Sequence, residues 1–245
     1  DERTKLVAVT EASNTLGTCP DLDPIIAKAH AVGAVVMVDG CQGIVHGGGR
    51  VAERGYDFYA LSGHKLYAPT GIGVMYAKRE LLERMPVWMC GGDMVATVSF
   101  ERTTFAELPL RFEAGTANYI GAIALGTALD FMAEWDKEGM EAHLNTLYAR
   151  AAEGLSAIDG LRIYGTTEGK APILSFGVEG VHPYDLGMVL DKLGIAVRTG
   201  THCAEPVMTH FGVTGMCRAS FAPYNTTAEV DALVAGVTRA ARMFR

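Results

Sequence analysis

At 245 residues, 49% hydrophobic and 20% charged, the chain is long enough for one large globular domain or two ordinary ones. A net charge of -7 with no run of Lys or Arg speaks against nucleic-acid and anionic-membrane binding, since both need clustered cations. The apolar windows are too short to span a bilayer, Asp1-Glu2-Arg3-Thr4 lacks a signal-peptide pattern, and five scattered cysteines without a CxxC pair indicate neither a disulfide framework nor a zinc site. A cytoplasmic enzyme is the expectation.

In chain order, residues 6–10 form a short β-branched run, and 24–32 carry Ile25, Ile26, Ala29 and Val32 at helical spacing. Residues 34–38 are a continuous apolar run closed by Asp39-Gly40. Strand, helix, strand with short connections predicts a parallel βαβ unit. Residues 58–61 and 73–76 read as further strands. In open α/β sheets, ligands bind outside the carboxyl ends of strands, and Asp39 and Ser62 to Lys65 fall at two such ends.

The stretch 86–117 breaks this pattern and reads as an ordered active-site or subunit-contact region. Helices are expected over 120–135 and 140–158, then strands at 161–164 and 173–178, a helix at 183–193, and strands at 195–198 and 218–222. Thr226 and Glu229 form a capping-box pattern ahead of a helix with Val230, Leu233, Val234, Val237, Ala241 and Phe244 on one face. The second half reads as a separate α+β domain beginning near residue 130.

Lys65 at a strand end is chemically unusual. An ammonium buried without a partner costs several kcal/mol or loses its proton, and a free amine can condense with an aldehyde. The simpler alternative is a solvated loop lysine. Pyridoxal phosphate enzymes need an acid beside the pyridine nitrogen, and Asp39 could supply it; Asp39-Gly40 alone could equally be a turn dipeptide. Gln42 could bond the ring's phenolic oxygen, and Ser62 and His64 the phosphate.

The strings Val38-Asp39-Gly40-Cys41-Gln42 and Ser62-Gly63-His64-Lys65-Leu66-Tyr67-Ala68-Pro69-Thr70-Gly71 closely resemble class V aminotransferase-fold PLP enzymes. Arg111-Phe112-Glu113-Ala114-Gly115-Thr116, Arg198-Thr199-Gly200-Thr201-His202-Cys203-Ala204 and Met216-Cys217-Arg218-Ala219-Ser220 narrow the likeness to group II, SufS-like cysteine desulfurases. The resemblance runs from about Leu6 to the C-terminus. It implies an α/β chain of PLP-dependent transferase fold type I. Residues 1–130 would form the C-terminal part of the PLP-binding large domain, with a mostly parallel sheet, and 131–245 the α+β small domain carrying the catalytic cysteine loop.

The resemblance further implies that Lys65 bonds the cofactor aldehyde, Asp39 pairs with the ring nitrogen, Gln42 contacts the phenolic oxygen, and Ser62 and His64 hold the phosphate. Thr116 would reach the phosphate of a second copy in a homodimer. Asn14 and Arg218, with Arg198 nearby, would bind the substrate carboxylate, a task suited to a bidentate guanidinium. An Asx turn at Asn14 and a surface ion pair at Arg218 are the simpler alternatives.

Cys203 decides the reaction. A free cysteine is more often a small buried apolar residue, the reading kept for Cys19, Cys41, Cys90 and Cys217. Cys203 instead lies in a polar loop beside His202 and Arg198, and an electropositive, partly exposed loop favours a thiolate. By resemblance, Cys203 takes sulfur from L-cysteine, leaving L-alanine and an enzyme persulfide that feeds iron-sulfur cluster assembly through a SufE- or SufU-like acceptor.

Two departures stand out. Thr201 occupies the place of a second histidine found in many group II members. Family members also carry a substantial N-terminal part before the segment matching Asp1, including a histidine that stacks on the cofactor and a phosphate-binding turn, so the chain is expected to be a fragment. Competing readings are a selenocysteine lyase, another class V lyase, aminotransferase or epimerase, a nucleotide binder suggested weakly by Gly47-Gly48-Gly49, and an inactive scaffold fragment.

Overall fold

The computed structural model describes residues 1–244. The chain divides into two compact units, Asp1–Glu11 with Asp21–Glu134, and Ala12–Pro20 with the residues from Trp135 onward. The sequence reading cuts at 130/131 and assigns 12–20 to the first part; in the structure that segment belongs to the second unit.

The first unit contains β1 (Leu6–Thr10), α1 (Leu22–Ala31), β2 (Val35–Asp39), α2 (Val51–Arg54), β3 (Phe58–Ser62), β4 (Gly73–Ala77), α3 (Arg79–Arg84), β5 (Val95–Val98), β6 (Thr103–Phe105) and α4 (Tyr119–Ala133). The main sheet has the order β1-β2-β3-β4. Its first three strands are parallel, and β4 runs antiparallel to β3. A parallel neighbour for β3 would need a crossover of a dozen or more residues, and the link from Ser62 to Gly73 is shorter than that. Leu22, Ile26 and Ala29 of α1 pack on Val36, Val38, Tyr56 and Tyr59, which gives the helical spacing of 24–32 its physical cause. The stretch 86–117 contains the β5–β6 hairpin. On α4 only Gly121, Leu125 and Ala128 are buried, and Tyr119, Ile120, Ile123 and Phe131 face solvent.

Asp57 ties the first unit together. Its carboxylate accepts from the Val36 amide at 2.7 Å and Lys78 Nζ at 2.7 Å, and lies 2.7 Å from His30 Nε2. Burial alone pushes this carboxyl up, but the bonds from Lys78, His30 and Val36 outweigh it and hold it below its ordinary 3.8. The stabilisation is therefore present above that value and is lost as the pH falls through the lower folded value. Asp57→Ala is expected to destabilise the unit by roughly 2–3 kcal/mol at neutral pH by leaving buried donors unpaired. Denaturant titrations should show the gap between wild type and variant narrowing as the pH is taken below the ordinary carboxyl range; an equal gap at neutral and acid pH would contradict the linkage.

The second unit contains α5 (Lys137–Ser156), β7 (Leu161–Tyr164), β8 (Ile173–Val178), α6 (Pro183–Lys192), β9 (Arg198–Gly200), α7 (Glu205–Phe211), β10 (Met216–Ser220) and α8 (Thr227–Met243). Its sheet, ordered β7-β8-β10-β9, is antiparallel throughout. Leu144, Leu147, Ala151 and Leu155 of α5 and Val230, Leu233 and Val237 of α8 bury one face against Leu174 and Phe176. The other face of β8 is covered by segment 12–20: Ala12 packs with Ala171 and Ile173, and the buried Ser175 hydroxyl donates to the Thr15 carbonyl. Thr226 and Glu229 make the full capping box of α8.

Two predicted strands shift, that expected at 218–222 lying at Met216–Ser220. Residues 195–198 read as a strand, but the ladder with β10 spans only Arg198, Thr199 and Gly200. Ile195 and Val197 instead pack against the main apolar cluster, so their alternation records burial without strand pairing. Among the described residues no helix is long and apolar enough to cross a membrane.

Candidate active site

In the first unit, β1, β2 and β3 are parallel, so Thr10, Asp39 and Ser62 end at one sheet edge; Thr10 pairs with Asp39, and Asp39 with Ala60. Asp39 is exposed at this edge and its Oδ1 accepts the Cys41 amide at 2.9 Å, which fixes the turn leading to Gln42. After β3 the chain enters a tight helical turn, Gly63–Lys65. Ser62 Oγ and His64 Nδ1 lie 2.7 Å apart, and Lys65 is half-buried, neither the fully buried ammonium nor the solvated loop residue of the two sequence readings.

The Cys41 thiol reports on its surroundings. Burial first, then the hydrogen bond and charge of Asp39, push it up, and the Lys65 ammonium and the Ser62 backbone pull it down. Asp39, Cys41, Ser62 and Lys65 are thus brought together. Thr116 is exposed on the segment leading into α4 and, among the described residues, makes no hydrogen bond to this cluster.

Beneath the same edge is a group the sequence reading missed. Glu11, directly after β1, accepts from Tyr59 Oη at 2.5 Å, from Tyr56 Oη at 3.1 Å and from the Gly49 amide at 3.2 Å. Burial, followed by Glu11, raises the Tyr59 phenol, so it stays a protonated donor. The available signal was positional: Glu11 closes its strand as Asp39 and Ser62 close theirs.

In the second unit, Cys203 is exposed on the turn between β9 and α7. His202 and Cys203 both have left-handed backbones, with φ of 54° and 59°, a conformation rare for residues with a Cβ. The turn is anchored by His202, which is 4% exposed and donates from Nε2 to the Met216 carbonyl at 3.1 Å. Asn14 Nδ2 donates to the His202 carbonyl at 2.8 Å. Burial, with the charges of Arg218 and Arg198, pushes the His202 imidazole down, so it is a neutral anchor.

Arg218 on β10 donates from Nη1 to the Asn14 carbonyl and stands beside Arg198, its register partner on β9. Its buried Nε has no protein partner, which leaves hydrogen-bonding capacity unused. The structure therefore brings Asn14, His202 and Arg218 together, with Arg198 exposed beside Arg218. Thr201 Oγ1 donates to Glu205 Oε1 at 3.3 Å. Among the described residues no group of His, Cys, Asp and Glu is placed to hold a metal ion.

The chain is similar in sequence and fold to known proteins. A protein described as a cysteine desulfurase from Cronobacter sakazakii is 51% identical over 244 residues, covering 99% of this chain and 60% of its own length. A probable cysteine desulfurase from Vibrio cholerae is 49% identical, covering 97% of this chain and 59% of its own. The crystal structure of the Escherichia coli cysteine desulfurase CsdA, in its S-sulfonic acid form, superposes with a TM-score of 0.96 at 45% identity, over 100% of this chain and 61% of that one. The chain thus spans about 60% of the length of the relatives it matches. The aminotransferase class-V pattern matches residues 1–233, nearly end to end, and the chain belongs to the class-V aminotransferase family.

Proposed function

We propose that the chain carries the cofactor lysine and the sulfur-accepting thiol of a cysteine desulfurase, which converts L-cysteine to L-alanine and delivers the sulfur for iron-sulfur cluster assembly. The observation that carries this reading is Cys203, an exposed thiol held on a left-handed turn whose anchors, Asn14 and the β10 carbonyl of Met216, are bound to the same turn as the Arg218 strand. The desulfurases among the chain's relatives support it. In this reading the first unit is the C-terminal part of the PLP-binding large domain and the second is the small domain.

The residues at the first unit's sheet edge fit pyridoxal 5'-phosphate. An amine, a carboxylate and a hydroxyl-imidazole pair meet there, matching an aldehyde, a protonatable ring nitrogen and a phosphate. Once bound, the cofactor supplies an electron sink for charge developing next to the substrate α-carbon. Asp39 holds the proton on the ring nitrogen, Gln42 bonds the phenolic oxygen, and Ser62 and His64 donate to the phosphate. Lys65 Nζ would hold the cofactor through its aldehyde, and the same amine is the base that would carry the substrate α-proton.

Asn14, Arg198 and Arg218 bind the substrate carboxylate. Cys203 Sγ, as thiolate, attacks the substrate sulfur: an S–S bond forms, the C–S bond breaks, and its electron pair stays on carbon, where a proton completes the methyl group of alanine. The enzyme is left with a persulfide. Thr116 completes the phosphate site of a second copy in a homodimer, a SufE- or SufU-like protein accepts the sulfur, and the chemistry is cytoplasmic.

The test is the mass of the Cys203 peptide after incubation with PLP and L-cysteine. A gain of one sulfur atom that requires both reagents is expected. No gain in a chain that has bound PLP overturns the reading.

A further inference from the structure

Neither Glu11 nor the tyrosines around it enter the chemistry above, yet the half-buried Glu11 carboxylate gathers three donors beneath the sheet edge. We infer that Glu11 is a positioning residue: its carboxylate sets the conformation of the loop from Gly40 to Gly49 and so aims Asp39 and Gln42. The inference rests on the reading that these two residues hold the PLP ring.

The geometry starts at the backbone, where the Glu11 amide donates to the Asp39 carbonyl at 2.9 Å and extends the parallel ladder one residue past β1. The side chain then runs under the loop. Its two oxygens receive three donors, Tyr59, Tyr56 and the Gly49 amide, and bonds to a carboxylate are stronger than neutral ones. The two phenols are fixed in turn. Tyr56 is 0% and Tyr59 2% exposed, and their rings stack with centroids 5.5 Å apart.

The loop is shaped to this carboxylate. A Cβ at Gly43 or Gly48 would overlap the Glu11 carboxylate, and one at Gly40 would overlap the Tyr59 ring. Glycine fits where the loop crosses Glu11 and its phenol, and within the run Gly47-Gly48-Gly49 it is Gly48 that meets the carboxylate, a role unrelated to nucleotide binding. Internal bonds from Ile44 to the Gly40 carbonyl and from Gly48 to the Gly43 carbonyl complete the loop. Asp39 immediately precedes it, and Gln42 lies inside it. An error in loop placement reaches Gln42 directly and reaches the Asp39 side chain through the Cys41 amide bonded to its Oδ1, while the Asp39 backbone stays in the ladder.

Hydrogen–deuterium exchange of the peptide spanning residues 40–50, together with PLP titration, tests this in wild type, Glu11→Ala, Glu11→Gln and Tyr59→Phe. In Glu11→Ala, loop amides should exchange faster by roughly tenfold or more while β2 and β3 keep their protection, and PLP affinity should fall by about the same factor. Glu11→Gln retains an acceptor oxygen and can donate to a tyrosine hydroxyl, so it should recover most of both. Tyr59→Phe removes one donor without opening a large cavity and should show a partial effect, which keeps the test alive if Glu11→Ala does not fold.

Unchanged loop exchange, equal acceleration throughout the sheet, or failure of Glu11→Gln to recover would each overturn the inference. If wild type binds no PLP while loop exchange still follows Glu11, the assignment of Asp39 and Gln42 to the cofactor fails, and the control of the loop by Glu11 stands.

Discussion

Cys203→Ser is expected to bind PLP as the wild type does and to lose conversion of L-cysteine to L-alanine by roughly 10³-fold or more, the scale on which enzymes lose turnover with their nucleophile. A serine hydroxyl is a far weaker nucleophile than a thiolate and cannot form the S–S bond that breaks C–S. The substitution is close to isosteric and leaves the His202 and Asn14 anchors in place, so thermal stability serves as the control. The measurements are alanine release and the mass of the 203 peptide. Undiminished alanine release would point to a class V lyase that does not use this thiol. Comparing release from L-cysteine and L-selenocysteine then separates a desulfurase from a selenocysteine lyase, since both would use Cys203.

Lys65→Ala removes the amine proposed to bond the cofactor and move the α-proton, and should lower turnover by at least the 10²–10⁴-fold typical of losing a general acid–base group. Borohydride reduction of the PLP-loaded chain followed by peptide mass analysis reads the attachment point directly. The reduced adduct is expected on Lys65 in wild type and on no lysine in the variant. The lysine to compare in the second unit is Lys170: burial pushes its ammonium down to about 8, while its bond to the Gly165 carbonyl and its place over the Tyr148 ring at 5.2 Å hold the charged form. An adduct on Lys170 that persists in Lys65→Ala would transfer the cofactor role away from the sheet edge.

What the sequence reveals here depends on how far apart the interacting residues are. Asp39 and Ser62 are legible because each closes an apolar run with a polar residue, a local signal that needs no knowledge of the partner strand. The capping box at Thr226 and Glu229 is local in the same way. Glu11 carries the same local signal just past β1, but its role is not legible, because its partners Tyr56 and Tyr59 are 45 and 48 residues away and tyrosines in and beside a strand read simply as strand formers. Segment 12–20 is assigned to the wrong part for the same reason: it follows β1 directly, but its burial comes from β8, where Ser175 lies 160 residues on from Thr15. Short helices such as α2 and α7 carry too few turns for a periodicity to register. The apolar alternation at Ile195 and Val197 does register, but burial produces the same pattern without a ladder.

The turn at His202 and Cys203 sets stability against chemistry. Two successive residues with a Cβ hold positive φ there, at a strain of roughly 1–3 kcal/mol each, where glycine would sit without penalty. Selection for thermal robustness alone would favour glycine at the exposed Cys203 and keep the buried His202 with its bond to the Met216 carbonyl. On the proposed reading such a chain would tolerate more heat and accept no sulfur, so attempts to harden this protein by relieving backbone strain should leave Cys203 alone.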